Sequence, residues 1–128
     1  MNGDREIHWE DDALTRKVIE CIIRVHQTLG PGFLEGIYRN ALLVELRIQG
    51  LTADTERRVK VRYKDVVVGL HRSDIVVEGR LVIEVKAVLE LTQTHYAQTR
   101  STLKAAAFRT ALLVNFSKPM ADFRRIEI

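Results

Sequence analysis

One cysteine, Cys21, is the only thiol in the sequence. It excludes an internal disulfide framework and a thiolate zinc site built within the chain, and it fits a reducing compartment. No stretch approaches the ~18 apolar residues of a membrane-crossing helix. The opening MNGDREIHWEDD is polar and acidic-leaning and carries no secretion-signal pattern. There is no internal repeat, low-complexity tract or long linker. Nor is there a phosphate-cradling glycine loop, a dinucleotide fingerprint, a nucleophile elbow or a zincin helix motif. Charge of one sign is scarce too. Twenty basic residues face 17 acidic ones, for a net +3, which is too mild to mark a nucleic-acid binder by itself. These absences leave the expectation of a soluble, cytoplasmic protein with no membrane partner.

What is present is apolar material for a core. The 128 residues are 46% hydrophobic, enough for one domain without staples. Residues 1–128 read as a single domain, with the first ten frayed. Leu14, Val18, Ile22, Val25 and Leu29 recur at threes and fours and predict a helix over 11–29, with Asp11 or Asp12 as its cap. Cys21 lies on the apolar side of that helix as an inert core thiol. Gly30-Pro31-Gly32 ends it. A second helix follows over 34–49, with Ile37, Ala41, Leu42, Val44 and Leu46 as its apolar surface and Gly50 as its cap.

The period then changes to two. RVKVRYK alternates Val59, Val61 and Tyr63 against Arg58, Lys60 and Arg62, a half-buried strand. After a turn at Lys64-Asp65, VVVGLH and SDIVVE read as further strands. LVIEVKAV follows through Glu78-Gly79-Arg80. A helix over 92–107, the apolar run TALLVNF and an edge strand FRRIEI complete the chain. The order implies an α/β or α+β domain with a single mixed sheet flanked by helices.

Three charged residues interrupt the apolar hairpin SDIVVEGRLVIEVKAV: Asp74, Glu84 and Lys86. A three-residue loop over 78–80 pairs Val77 with Leu81 and, counting back, Asp74 with Glu84. Directly opposed residues share a face, and so do residues two apart. That register gathers all three polar groups on one side and puts Ile75, Val77, Leu81, Ile83 and Val85 on the other. Two adjacent carboxylates repel unless a cation lies between them. Mg²⁺ takes such oxygens while keeping several waters, and a nearby lysine can orient water or offset developing charge. The bland alternative is a charged outer sheet face, with Glu84 and Lys86 solvated and Asp74 capping a turn.

Asp74 followed by Glu84-Val85-Lys86 across a hairpin, with a helix behind, resembles the PD-(D/E)XK nuclease superfamily. GFLEGIY (Gly32 to Tyr38) is similar to the G-x-x-E-x-x-Y pattern of a small group assigned to that superfamily. His26 upstream, HYAQ (His95 to Gln98) and LLVNF (Leu112 to Phe116) match that group as well. The likeness covers roughly residues 14–126. It implies a restriction-endonuclease-like core. It implies Asp74, Glu84 and the Val85 carbonyl as ligands of Mg²⁺ or Mn²⁺, and Lys86 as holder of the attacking water. It further implies Glu35 as the acid from a core helix and Gln98 as the residue that orders the site. Tyr38, His26 and His95 are accessory candidates. Ser73 replaces the signature proline, a position that varies.

Each of these residues also has a structural reading. Glu35 suits the first turn of a helix, Tyr38 a core aromatic with a tethered hydroxyl, and Gln98 a solvated helix position. Lone helix histidines are more often structural than ligands. Arg57, Arg58, Arg62, Arg72 and Arg100 are candidate contacts to a nucleic-acid backbone, or members of solvated faces. The leading functional expectation is a metal-dependent nuclease acting on DNA or RNA. The alternative is a non-catalytic nucleic-acid-binding or protein-interaction module on a nuclease-like scaffold. A homo-oligomer or protein partner is compatible with either.

Overall fold

A computed structural model describes residues 9–128. The elements are α1 (Trp9–Leu29), α2 (Glu35–Ile48), β1 (Ala53–Tyr63), β2 (Val66–Val77), β3 (Leu81–Lys86), α3 (Gln93–Ala106), β4 (Thr110–Asn115) and β5 (Asp122–Glu127). The five strands form one mixed sheet in the order β1-β2-β3-β4-β5. All neighbours are antiparallel except β3 and β4, which run parallel. A parallel pair needs a long crossover, and α3 supplies it. The result is the expected α+β architecture.

The α1 stripe packs as its periodicity predicts, with Leu14, Val18, Ile22 and Val25 buried beside Cys21. Asp11 and Asp12 lie inside the helix, not at its cap. The expected fraying of residues 1–10 falls outside the described residues for 1–8, while Trp9 and Glu10 belong to α1. Gly30 stops α1 in the left-handed region (φ +69°) that a side chain disfavours. In α2 the buried face is Tyr38, Leu42, Leu43 and Leu46, whereas Ile37 and Val44 point to solvent. Ile37 and Val44 therefore do not belong to the core face expected of them, and Tyr38 and Leu43 do.

Lys64 and Asp65 both have positive φ and make the two-residue turn between β1 and β2. VVVGLH and SDIVVE are one continuous strand of twelve residues, not two. The β2–β3 register runs Val77–Leu81, Val76–Val82 and Ile75–Ile83, as the three-residue loop requires. Alternation then sorts the sheet. Ile75, Val77, Leu81, Ile83 and Val85 join Leu112 and Val114 in the core under α1 and α2. Val76, Val82, Ala111 and Leu113 pack with Leu103 of α3 on the opposite face. Both faces are therefore covered, and the polar residues of β2 and β3 meet α3 where the sequence alone allowed open solvent.

Candidate active site

The site lies where β2, β3, the start of α2 and the first half of α3 converge. It is an open cavity of about 650 Å³ whose lining includes Glu35, Asp74, Glu84, Lys86, Gln98 and Arg72. Its geometry begins with the end of the β2–β3 ladder. Beyond Ile75 and Ile83 the Val85 N–H is taken by a side chain: it donates to Asp74 Oδ2 at 2.8 Å. A carboxylate thus completes the sheet bonding and is fixed beside Glu84, the residue before Val85.

Arg39 holds the other side of Asp74. Its Nε lies 3.3 Å from Asp74 Oδ1, and its Nη2 lies 3.5 Å from Glu35 Oε1, one helical turn earlier. One guanidinium therefore links the acid of α2 to the acid of β2. Behind them Glu84 is only 8% exposed. Its Oε1 is buried without a hydrogen-bond partner. Burial, the charge of Asp74 and the hydrogen bond to Asp74 raise its pKa to about 8, against weaker lowering by Lys86 and the Thr102 hydroxyl. The roof is α3. Thr102 Oγ1 lies 3.1 Å from the Gln98 carbonyl and 2.5 Å from His71 Nε2. Asn115, at the end of β4, pins the segment after Lys86. Its side chain donates to the Val88 carbonyl and accepts from the Val88 N–H.

Glu35, Asp74, Glu84, Lys86, Gln98 and Arg72 are brought together as lining residues. Other candidates are placed elsewhere. Tyr38 is fully buried; its hydroxyl donates to the Gly30 carbonyl at 2.5 Å and accepts from Phe33 N–H at 3.1 Å, which ties the α1–α2 corner. His26 is buried with Nε2 2.8 Å from the Lys118 carbonyl and its ring stacked on Phe116. The His95 ring accepts from the Thr92 N–H at 2.9 Å and closes the capping box of α3. Arg100 borders a separate depression with Lys104 and Ile128. Arg58 and Arg62 stand exposed on β1. Three site residues escaped the sequence reading: Arg39, His71 and Thr102. Only Arg39 left a signal, as a cation four residues after Glu35 on a predicted helix.

A scan against protein families matches residues 12–126 to the PD-(D/E)XK nuclease superfamily. The chain belongs to that superfamily. No curated protein and no solved structure matches it. Members of the PD-(D/E)XK superfamily act as nucleases and generally use divalent metal ions, so the donor set bears testing against such an ion. Among the described residues no three His, Cys, Asp or Glu side chains gather to hold a metal. Two carboxylates are what Mg²⁺ typically takes from a protein, with waters filling the remaining octahedral positions. The partnerless Glu84 Oε1 and the mutual repulsion of Asp74 and Glu84 are both relieved by a cation between them. The residues fit.

Proposed function

We propose that this protein is a metal-dependent nuclease of the G-x-x-E-x-x-Y group that hydrolyses phosphodiester bonds in nucleic acid, and that it works in the cytoplasm. The observation that carries the reading is the buried Glu84, whose Oε1 has no hydrogen-bond partner, beside Asp74 and Lys86 in an open cavity. A charged outer sheet face would leave Glu84 in water and its pKa unshifted.

Asp74, Glu84 and the Val85 carbonyl would hold Mg²⁺ or Mn²⁺. Such an ion, when bound, favours deprotonation of water and offsets charge on a phosphoryl oxygen. Lys86, on the same strand face as Glu84, donates to the attacking water and orients it in line with the scissile bond; its positive charge also opposes the charge that develops there. Arg39 keeps Asp74 in place, so that the carboxylate does not swing toward solvent between turnovers. Gln98 of α3 and Glu35 of α2 both line the cavity and position the substrate. Arg72 at the rim offers charge to a flanking phosphate.

Cleavage of single- and double-stranded DNA and RNA, with Mg²⁺ or Mn²⁺ against EDTA, tests the reading. Asp74→Ala and Glu84→Ala should abolish metal binding and cleavage while the fold persists. Lys86→Ala should keep metal binding and lose at least about 100-fold in cleavage rate. Full cleavage by Lys86→Ala would contradict the role given to the lysine. No cleavage by the wild type with either metal would leave the binding-module alternative.

A further inference from the structure

The β1–β2 hairpin outruns the body of the protein. Tyr63, Val66, Val68 and Leu70 are each more than 60% exposed, and Arg58, Lys60, Arg62 and Lys64 are exposed as well. From Lys60 and Leu70 outward to the Lys64-Asp65 turn, the two strands form a free ribbon roughly 14 Å long at the usual rise per residue. The register shows how its faces differ. Arg58 pairs with Arg72, Lys60 with Leu70 and Arg62 with Val67, which sets four cations on one face. Val59, Val61 and Tyr63, opposite His71, Gly69 and Val66, occupy the other. Val68 is the extra residue of a bulge between these pairings, and a bulge increases the local right-handed twist.

Residues 58–72 carry five cationic side chains and one acidic one, a net +4, whereas the entire chain is +3. The free ribbon itself, 60–70, holds a net +2 from Lys60, Arg62 and Lys64 against Asp65, and Arg58 and Arg72 at its base bring the hairpin to +4. Its base enters the candidate active site directly, because His71 and Arg72 line that cavity. A second copy of the same ribbon is a poor occupant, since like charges would face each other. A polyanion is a good one. Among polyanions, the major groove of B-form DNA, about 12 Å wide, admits a two-stranded β-ribbon, while the major groove of A-form RNA is too deep and narrow for one.

We infer that the β1–β2 ribbon is a DNA-docking arm that enters the major groove of duplex DNA and delivers the adjacent backbone to the cavity. The inference deepens the nuclease reading by naming the substrate class as double-stranded DNA, and it rests on that reading for the delivery step alone. Lys60 and Arg62 contact phosphates. Tyr63 and Val66, on the other face, supply apolar surface for thymine methyl groups, which protrude into that groove.

The test measures binding in EDTA, so that cleavage does not enter. Fluorescence anisotropy follows a labelled 20-base-pair DNA duplex, the same sequence as duplex RNA, and one DNA strand alone, each across a series of KCl concentrations. DNA duplex should bind at least about tenfold more tightly than duplex RNA or the single strand. Lys60→Ala/Arg62→Ala should flatten the log affinity against log salt plot for duplex DNA by about 1.8, and Arg62→Gln alone by about 0.9. Arg16→Ala/Lys17→Ala, which removes the same charge from the exposed side of α1, should leave the slope unchanged. Equal losses in the arm and α1 variants, equal binding of RNA and DNA duplexes, or no duplex binding at low salt would each overturn the inference. Ribbon-dependent duplex binding by a protein that cleaves nothing when Mg²⁺ is added would sink the nuclease reading and leave the docking arm standing.

Discussion

Glu84 shows how a single residue can hold a site's chemistry and its cost together. An acid whose folded pKa is raised from 4.5 to about 8 keeps its proton in the native state after the unfolded chain has released one. Between those values the unfolded state binds fewer protons, so the metal-free protein loses stability as pH rises through the window. Glu84→Gln cannot ionise and keeps the shape. In EDTA it should match the wild type near pH 5 and exceed it by about 1–3 kcal/mol at pH 8. Urea denaturation at the two pH values checks this. A wild type with equal stability at both, or a variant weaker at pH 8, would show that burial does not govern this carboxyl. The acid and lysine positions were legible in sequence, because their spacing on adjacent strands sets which side chains share a face. The burial was not legible, because it is α3, from a later part of the chain, that closes over them. Thr102 and His71 were missed for the same reason: their meeting at 2.5 Å is created by packing.

At the scale of elements, the hairpin loop over 78–80 fixed the register of β2 on β3, and the structure follows it. The sequence divides β2 in two at Arg72, between VVVGLH and SDIVVE. The strand nevertheless continues, since its hydrogen bonds to β1 do not depend on side chains. In α2 the apolar surface expected from Ile37, Ala41, Leu42, Val44 and Leu46 is only partly buried, and the buried face is the one that carries Tyr38. That residue stacks on Phe116 with ring centroids 4.6 Å apart, and its hydroxyl ties the corner before Glu35. Tyr38→Phe leaves the Gly30 carbonyl and the Phe33 N–H without that partner and should cost about 1–2 kcal/mol. His95→Ala opens the α3 capping box and should cost about 0.5–2 kcal/mol. Neither change removes a group from the cavity, so Mg²⁺ affinity measured calorimetrically should stay within about threefold of the wild type at 25 °C. A loss of metal binding in His95→Ala with the fold intact would return that histidine to the ligand set.

For the whole molecule, the proposed metal binding would make folding and ion binding one linked equilibrium, because the unfolded chain does not hold Asp74 and Glu84 together. A cation at 100 times its dissociation constant should stabilise the native state by about 2.7 kcal/mol, which for a chain of this size is a rise of roughly 10 °C in melting temperature. The pH dependence has a definite sign. Below about 8 the Glu84 proton must leave for the cation to bind, so the Mg²⁺-induced rise should be small at pH 6 and grow toward pH 8. This is the direction opposite to the metal-free protein, whose stability falls across the same range. Differential scanning calorimetry with EDTA and with 10 mM MgCl₂ at pH 6, 7 and 8 reads both trends in one set of samples. Asp74→Asn and Glu84→Gln should each abolish the Mg²⁺ effect. If the melting temperature rises equally at every pH, or rises in these variants as well, the ion is acting on the surface charge of the molecule and not between Asp74 and Glu84.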